Sequence, residues 1–345
     1  VRHTTTTSAR TKAAFVAVAA IGALTLAACS DSGSSDTSES ASESEDAMTA
    51  EATESTMAME MTAITVGVIP ILDVAPLYLG ISEGFFEDAG LEVTTELAQG
   101  GAAIVPGVTS GQFDFGFSNT TSLILATSTG IDIQAVAPGV STTGENGADF
   151  GSVMVLADSG IESPADLEGK KVAVNTLNNI NTSTTNKMVM DDGGDPSTIT
   201  YVELAFPDIV PAIVSGDVDA GQVVEPFQTV GAGQGLVEVG SNFALTDPNL
   251  MIAEYFTSME YADANPDIVA AFQEALTKSF EYATDNPDAV RAALADYTSM
   301  DEATQQAVVL PSWPTEIDSN TVDLLAQLAI DDGFLAEAPD LSGLK

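Results

Sequence analysis

From about residue 64 onward, short apolar runs alternate with longer stretches in which apolar residues recur every three or four positions. The runs have the length and β-branched content of buried strands, and the spaced stretches have the period of amphipathic helices. Strands are predicted at 65–69, 91–97 and 113–117, and again at 171–174, 199–204 and 220–224. Helices fall between them, so each trio reads strand-helix-strand-helix-strand. Short apolar strands separated by helices imply a mostly parallel sheet covered on both faces.

The two trios are related by a duplication. Ile104-Val105-Pro106-Gly107-Val108-Thr109-Ser110-Gly111-Gln112-Phe113-Asp114-Phe115-Gly116 aligns with Ile209-Val210-Pro211-Ala212-Ile213-Val214-Ser215-Gly216-Asp217-Val218-Asp219-Ala220-Gly221 at a constant offset of 105. Two copies are too few for a solenoid, and the predicted fold class is α/β with two lobes joined by a hinge. In each copy the Ser-Gly pair would end a helix. The Asp would hydrogen-bond the amides of the turn, a structural role rather than a ligand role. Lobe 1 is expected over 64–150, lobe 2 over 151–250, and a hinge return with C-terminal helices, packing mainly on lobe 1, over 251–345. Within that last part 251–258 reads as a strand. Asn265-Pro266-Asp267 and Asn286-Pro287-Asp288 each open a helix, with Asn as cap and Pro in the first turn. Val269, Phe272, Leu276 and Phe280 form a buried stripe, and Trp313 is expected in the core.

The first 63 residues have a different pattern. Arg2, Arg10 and Lys12 precede an apolar run from Ala13 to Ala28 that is too short to span a bilayer comfortably. This is the layout of a secretory signal, expected at 1–28. The run ends Leu26-Ala27-Ala28-Cys29, which resembles the bacterial lipobox. That resemblance implies lipidation of Cys29 and anchoring at the extracytoplasmic face of the cell membrane, stable when two or more acyl chains are buried. Residues 29–63 are rich in Ser, Thr, Ala and acids, with nine acidic residues and no basic one. Such a segment cannot bury enough apolar surface to order itself, and it is expected to serve as an extended tether.

Charge and composition remove several function classes. The chain carries 51 acidic against 9 basic residues, a net charge of −42 that repels nucleic acid. The only histidine is His3 and the only cysteine is Cys29. The chain beyond 29 therefore lacks the imidazole and thiol that triad hydrolysis, Cys-His catalysis and ordinary zinc sites require. No enzyme activity, metal or cofactor is expected. Carboxylate-pair hydrolysis stays open in principle, with Asp73, Glu225 and Asp208 as the acids placed for it.

In open parallel sheets ligands bind beyond the carboxyl ends of the strands, where loops and helix N-termini converge. Two lobes facing one another would combine those ends into a cleft. In lobe 1 the loops carry Asp73, then Gly100 and Gly101, then Ser118, Asn119 and Thr120. In lobe 2 they carry Asn175, Asn178 and Asn179, then Phe206, then Glu225 and Phe227. These twelve are the candidate ligand-binding residues. Asn and Thr also cap helices at such places, so roughly half are expected to touch a ligand.

Gly160-Ile161-Glu162-Ser163-Pro164-Ala165-Asp166-Leu167-Glu168-Gly169-Lys170-Lys171-Val172-Ala173-Val174-Asn175 resembles the start of lobe two in periplasmic binding proteins of the nitrate/sulfonate/taurine and thiamine-pyrimidine-precursor class. Pro76-Leu77-Tyr78-Leu79-Gly80 with Glu83-Gly84-Phe85-Phe86, the stretch from Gly111 to Ser118, and Glu225-Pro226 match the same class. The resemblance covers about 64–345. It implies a type II binding-protein fold that closes on a small-molecule solute and delivers it to an ABC permease and ATPase. A monomer is expected. The yeast pyrimidine-synthesising relatives are enzymes with an essential histidine and a cysteine-rich motif; this chain has neither. Lys170, Lys171, Lys187, Lys278, Arg291 and Lys345 are the only cations beyond residue 12, and none lies in a carboxyl-end loop. A neutral or cationic solute is therefore favoured over an anion, and a heteroaromatic ring stacked on Phe206 or Phe227 is one form it could take. Sulfonate, taurine or nitrate binding is the alternative, and a surface sensory receptor without transport is another.

Overall fold

A computed structural model of the chain describes residues 61–345; the signal, Cys29 and all but the end of the tether lie outside the described residues. The ten strands are β1 (Thr62–Val68), β2 (Leu91–Leu97), β3 (Phe115–Asn119), β4 (Ile133–Ser141), β5 (Gly151–Leu156), β6 (Lys171–Val174), β7 (Thr200–Glu203), β8 (Ala220–Val224), β9 (Leu236–Gly240) and β10 (Met251–Ser258). They form two five-stranded sheets, ordered β2-β1-β3-β10-β4 and β7-β6-β8-β5-β9. Each sheet is the core of one lobe. In the first, β1 runs parallel to β2 and β3, while β10 is antiparallel to β3 and β4. In the second, β6 runs parallel to β7 and β8, while β5 is antiparallel to β8 and β9.

The six predicted strands are present, shifted by a few residues, and four more were not read from the first pattern or were read only as a returning strand. β4 contains Pro138 and Gly139, and β9 is short and half exposed, so neither shows a clean apolar run. β5 is a clean run, but its place is set by pairing with β8 from a distant part of the chain. Each lobe thus holds the predicted parallel trio plus one antiparallel strand that arrives from the other lobe, and an outer strand. The chain passes between sheets twice, through 142–150 and 241–250. These passages are tied together: the Thr142 amide donates to the Leu250 carbonyl at 2.9 Å, and the Ser241 amide donates to Asn146 Oδ1 at 3.0 Å.

The duplicated motif acquires a physical reason. Its helices, Gly101–Thr109 and Phe206–Ser215, lie against β3 and β8. A Cβ on Gly116 would meet Ile104 Cγ2 at 2.5 Å, and one on Gly221 would meet Ile209 Cγ2 at 2.4 Å. The repeated Gly and Ile are therefore two halves of one close helix–strand approach. The repeated Asp does not serve the turn, as the sequence suggested. Asp114 Oδ2 accepts the Thr65 amide of β1, and Asp219 Oδ2 accepts the Lys171 amide of β6, both at 2.8 Å. Each thus pins the start of a third strand to the first.

The C-terminal helices cover lobe 1. In Pro266–Asp285 the stripe Val269, Phe272, Leu276 and Phe280 is buried, and Phe272 stacks on Phe115 with centroids 4.0 Å apart. The last helix, Ser319–Asp331, touches a helix of each lobe, Thr120–Ser128 and Ile180–Asp191. Trp313 is buried and donates its indole N–H to the Asp73 carbonyl at 3.3 Å. No helix among the described residues is long and apolar enough to cross a membrane.

Candidate functional site

Three helix N-termini and the strand ends of both sheets meet at one cavity. It is lined from lobe 1 by Ile69, Ile71, Asp73, Phe117, Asn119, Ile252 and Ala253, and from lobe 2 by Asn175, Ile180, Asn181, Phe206, Val224 and Phe243. Its volume is about 30 Å³, room for about two waters. The lobes are in direct contact around it. The Leu72 amide donates to the Glu225 carbonyl at 3.0 Å. Asn179 Nδ2 donates to Ser122 Oγ at 3.0 Å across the boundary. A Cβ on Gly100 would lie 3.3 Å from Thr176 Oγ1 and 3.4 Å from Asn175 Nδ2.

Of the twelve candidates, four line the cavity: Asp73, Asn119, Asn175 and Phe206. Asn119 also caps its helix, accepting the Ser122 amide at 2.9 Å, so capping and lining coexist in one residue. Asn175 Oδ1 accepts Asn181 Nδ2 at 2.8 Å, which fixes both amides at the rim. Phe206 opens its helix and stacks on Phe227 with centroids 6.2 Å apart; Phe227 stands behind it, off the cavity. Gly100 and Gly101 make room rather than contacts: a Cβ on Gly101 would fall 2.0 Å from Ser118 Oγ, so that glycine lets the helix start seat on β3. Ser118 and Thr120 are buried beneath that seat. Asn179 is the cap and interlobe bond of its helix. Asn178 is exposed, with a left-handed backbone (φ 51°), and forms the turn leading into that cap.

The acids separate by environment. Asp73 is buried, and its Oδ1 has no hydrogen-bond partner. Burial pushes its carboxyl up to about 7, its own amide opposes this, and the charge of Asp149 adds to it. Glu225 is also pushed up to about 7 by burial, but its oxygens are occupied by the Thr229 amide and hydroxyl and the Val309 amide. It orders its own loop and the C-terminal segment. Asp208 is exposed. The three acids do not form an opposed pair across the cavity; only Asp73 lines it. Glu254, on β10, was not singled out in the sequence. It is fully buried, neither oxygen has a partner in hydrogen-bonding geometry, and burial pushes it to about 8, opposed only by the nearby Thr120 hydroxyl.

Sequence reasoning missed the apolar lining. Ile252 and Ala253 begin an antiparallel strand, which enters a sheet at the end where parallel strands leave it. Looking only after strands for a ligand site overlooks the residues that open such a strand. Phe243, in the second passage between lobes, was missed for the same reason.

The chain resembles known proteins along most of its length. The family model described as NMT1/THI5 like matches residues 71–290. A putative aliphatic sulfonates-binding protein of Bacillus subtilis is 23% identical over 274 residues, 77% of this chain and 80% of that protein. A formylaminopyrimidine-binding protein of Halalkalibacterium halodurans is 27% identical over 212 residues, 59% of this chain and 60% of that one. A 4-amino-5-hydroxymethyl-2-methylpyrimidine phosphate synthase of Aspergillus parasiticus is 26% identical over 224 residues, 59% and 61% of the two chains. Among solved structures, the periplasmic aliphatic sulphonate binding protein of Escherichia coli superposes with a TM-score of 0.66 at 18% identity, over 81% of this chain and 95% of that one, a likeness of fold. With the family model spanning well over half of its length, this chain belongs to the NMT1/THI5-like family.

Proposed function

We propose that this chain is the extracytoplasmic solute-binding component of an ABC importer, anchored through lipid on Cys29, that captures a small organic solute between its lobes. The observation that carries the reading is the cavity itself, lined from both lobes at the carboxyl ends of their parallel strands. A solute there would contact both halves only when they are closed, so its binding free energy would favour closure. The named binding-protein relatives support capture rather than turnover. The fungal synthase relative is the specific argument for an enzyme, but this chain has no histidine beyond His3 and no cysteine other than Cys29.

Within that reading the solute is neutral or cationic rather than anionic. None of the six Lys and Arg side chains beyond residue 12 lines the cavity, whereas Asp73 does. Phe206, backed by Phe227, lines the cavity with Phe117 and Phe243, and these three rings suit a flat heteroaromatic solute. The aliphatic sulfonates-binding relative favours the alternative, an anion held by helix N-termini. Calorimetric titration of the purified protein with pyrimidines, taurine and nitrate, paired with solution scattering, tests both readings. A pyrimidine that binds and compacts the protein is expected. Compaction by taurine alone would replace it with the sulfonate reading, and no compaction with any solute would overturn capture by closure.

A further inference from the structure

The cleft's polar equipment is unequal. Three asparagine amides reach the cavity, those of Asn119, Asn175 and Asn181, and all three already hold a partner within the protein. Asp73 differs: the residue lines the cavity, and its Oδ1 is buried and unpaired. The loop that carries it, 71–73, is fixed from three sides. The Trp313 indole N–H donates to the Asp73 carbonyl at 3.3 Å, the Tyr297 hydroxyl donates to the Ile71 carbonyl at 3.1 Å, and the Leu72 amide donates to Glu225 of the other lobe. A buried acceptor held this firmly without a donor is costly unless something else supplies one.

We propose that Asp73 is the specificity-determining residue of the cleft, taking the N–H of a cationic ammonium, amidinium or protonated amino-heterocycle, and releasing its own proton as that cation arrives. The inference rests on the reading of the cleft as the solute site. The exchange balances simply: the Asp73 O–H bond breaks, its electron pair stays on the oxygen, the proton passes to the solvent, and the cation replaces its charge. The cleft then stays electrically unchanged, which is the cheapest way to carry a positive solute into low dielectric.

The groups facing Asp73 agree with this. Asp149 comes from the first passage between lobes, Tyr255 from β10 and Tyr297 from the helix Pro287–Tyr297. Glu225 reaches the loop only through its backbone carbonyl, and Glu254 stands one residue beyond the cavity-lining Ala253. All of these are acids or phenols, and no Lys or Arg lines the cavity. The field therefore opposes ionisation of Asp73 until a cation is present. With its carboxyl pushed up to about 7 by burial, Asp73 holds its proton at pH values where an ordinary carboxyl has lost it.

The test is calorimetry of the intact chain with benzylammonium, benzamidinium and 4-aminopyridinium, against benzyl alcohol, taurine and nitrate, each in two buffers of different ionisation heat. At least one cation is expected to bind and to release a proton, with more released per bound cation as the pH falls from about 8 to about 6. Asp73→Asn keeps the shape and removes the exchange; it is expected to weaken the cation about tenfold or more and to abolish the buffer dependence. A residue that merely supports the fold would change affinity without changing proton release. Cation binding without proton release, equal cation binding by D73N, or failure of all three cations overturns the proposal. Taurine or nitrate binding with compaction, alongside such a failure, leaves solute capture standing and removes only this account of its selectivity.

Discussion

At the scale of single residues, the least comfortable group outside the cleft is Glu254. Its carboxyl is buried, without a partner of good geometry, and pushed to about 8 by desolvation. The folded protein therefore holds a proton there that the unfolded chain releases once the pH passes the ordinary carboxyl range. Between that range and about pH 8 the folded state binds more protons, so stability falls as the pH rises. Asp73 and Glu225, pushed to about 7, act in the same direction. The melting temperature is expected to drop from about pH 5.5 to about pH 8.5, by the equivalent of a few kcal/mol. In E254Q, which is neutral at every pH, thermal melts should show a shallower fall. Parallel falls in the two proteins would trace the effect to surface repulsion instead. A different residue-scale expectation concerns Gly221. A methyl there meets Ile209 Cγ2 at 2.4 Å, with Ile213 Cδ1 at 3.1 Å, so no single side-chain movement relieves it. G221A should lose about 1–3 kcal/mol in chemical denaturation.

At the scale of elements, the duplication predicts a pair of matched but unequal losses. Asp114 and Asp219 do the same work, each accepting a strand amide at 2.8 Å. Asp114 is half-buried, and its carbonyl also accepts the Thr257 hydroxyl; Asp219 is exposed. Water can replace the bond in the second case more readily than in the first. Asp114→Ala is expected to cost about 1–2 kcal/mol and Asp219→Ala under about 1 kcal/mol, measured as shifts in urea midpoint at constant slope. Equal losses would mean that the exposure difference is immaterial. The strand-helix-strand-helix-strand reading was legible here because each trio is local and strongly patterned. β4 and β9 were not, because Pro138, Gly139 and half-exposed positions blur the period that marks a strand.

At the scale of the whole molecule, the helix Ser319–Asp331 is placed to influence opening, since it touches both lobes. Its end is tied to lobe 2: Asn186 Nδ2 donates to Asp332 Oδ1 at 2.9 Å, and Asn186 Oδ1 accepts the Tyr201 hydroxyl at 2.7 Å. Removing that tie in Asn186→Ala leaves the cavity lining untouched. Solution scattering without solute is expected to give a larger radius of gyration for N186A than for the parent. An unchanged radius would show that the remaining interlobe bonds, from Leu72 and Asn179, suffice to hold the halves together.

The sequence by itself determined the α/β class, the doubling of the lobes, the family resemblance and the loops from which a site would be built, because each depends on a local pattern or on matching one short stretch with another. It also placed Asp73, Asn119, Asn175 and Phe206 among the candidates. Only the tertiary structure decided that these four share one cavity while Asn178 faces solvent and Phe227, Glu225 and Ser118 stand behind it. It alone brought in Ile252, Ala253 and Phe243, and it alone exposed Glu254 as a buried acid. These outcomes rest on strands paired across 65 to 140 residues of chain, and on which face of a sheet a given side chain takes. Neither is written into any local period of the chain, since the pairing of β3 with β10 and of β5 with β8 exists only once both lobes have formed.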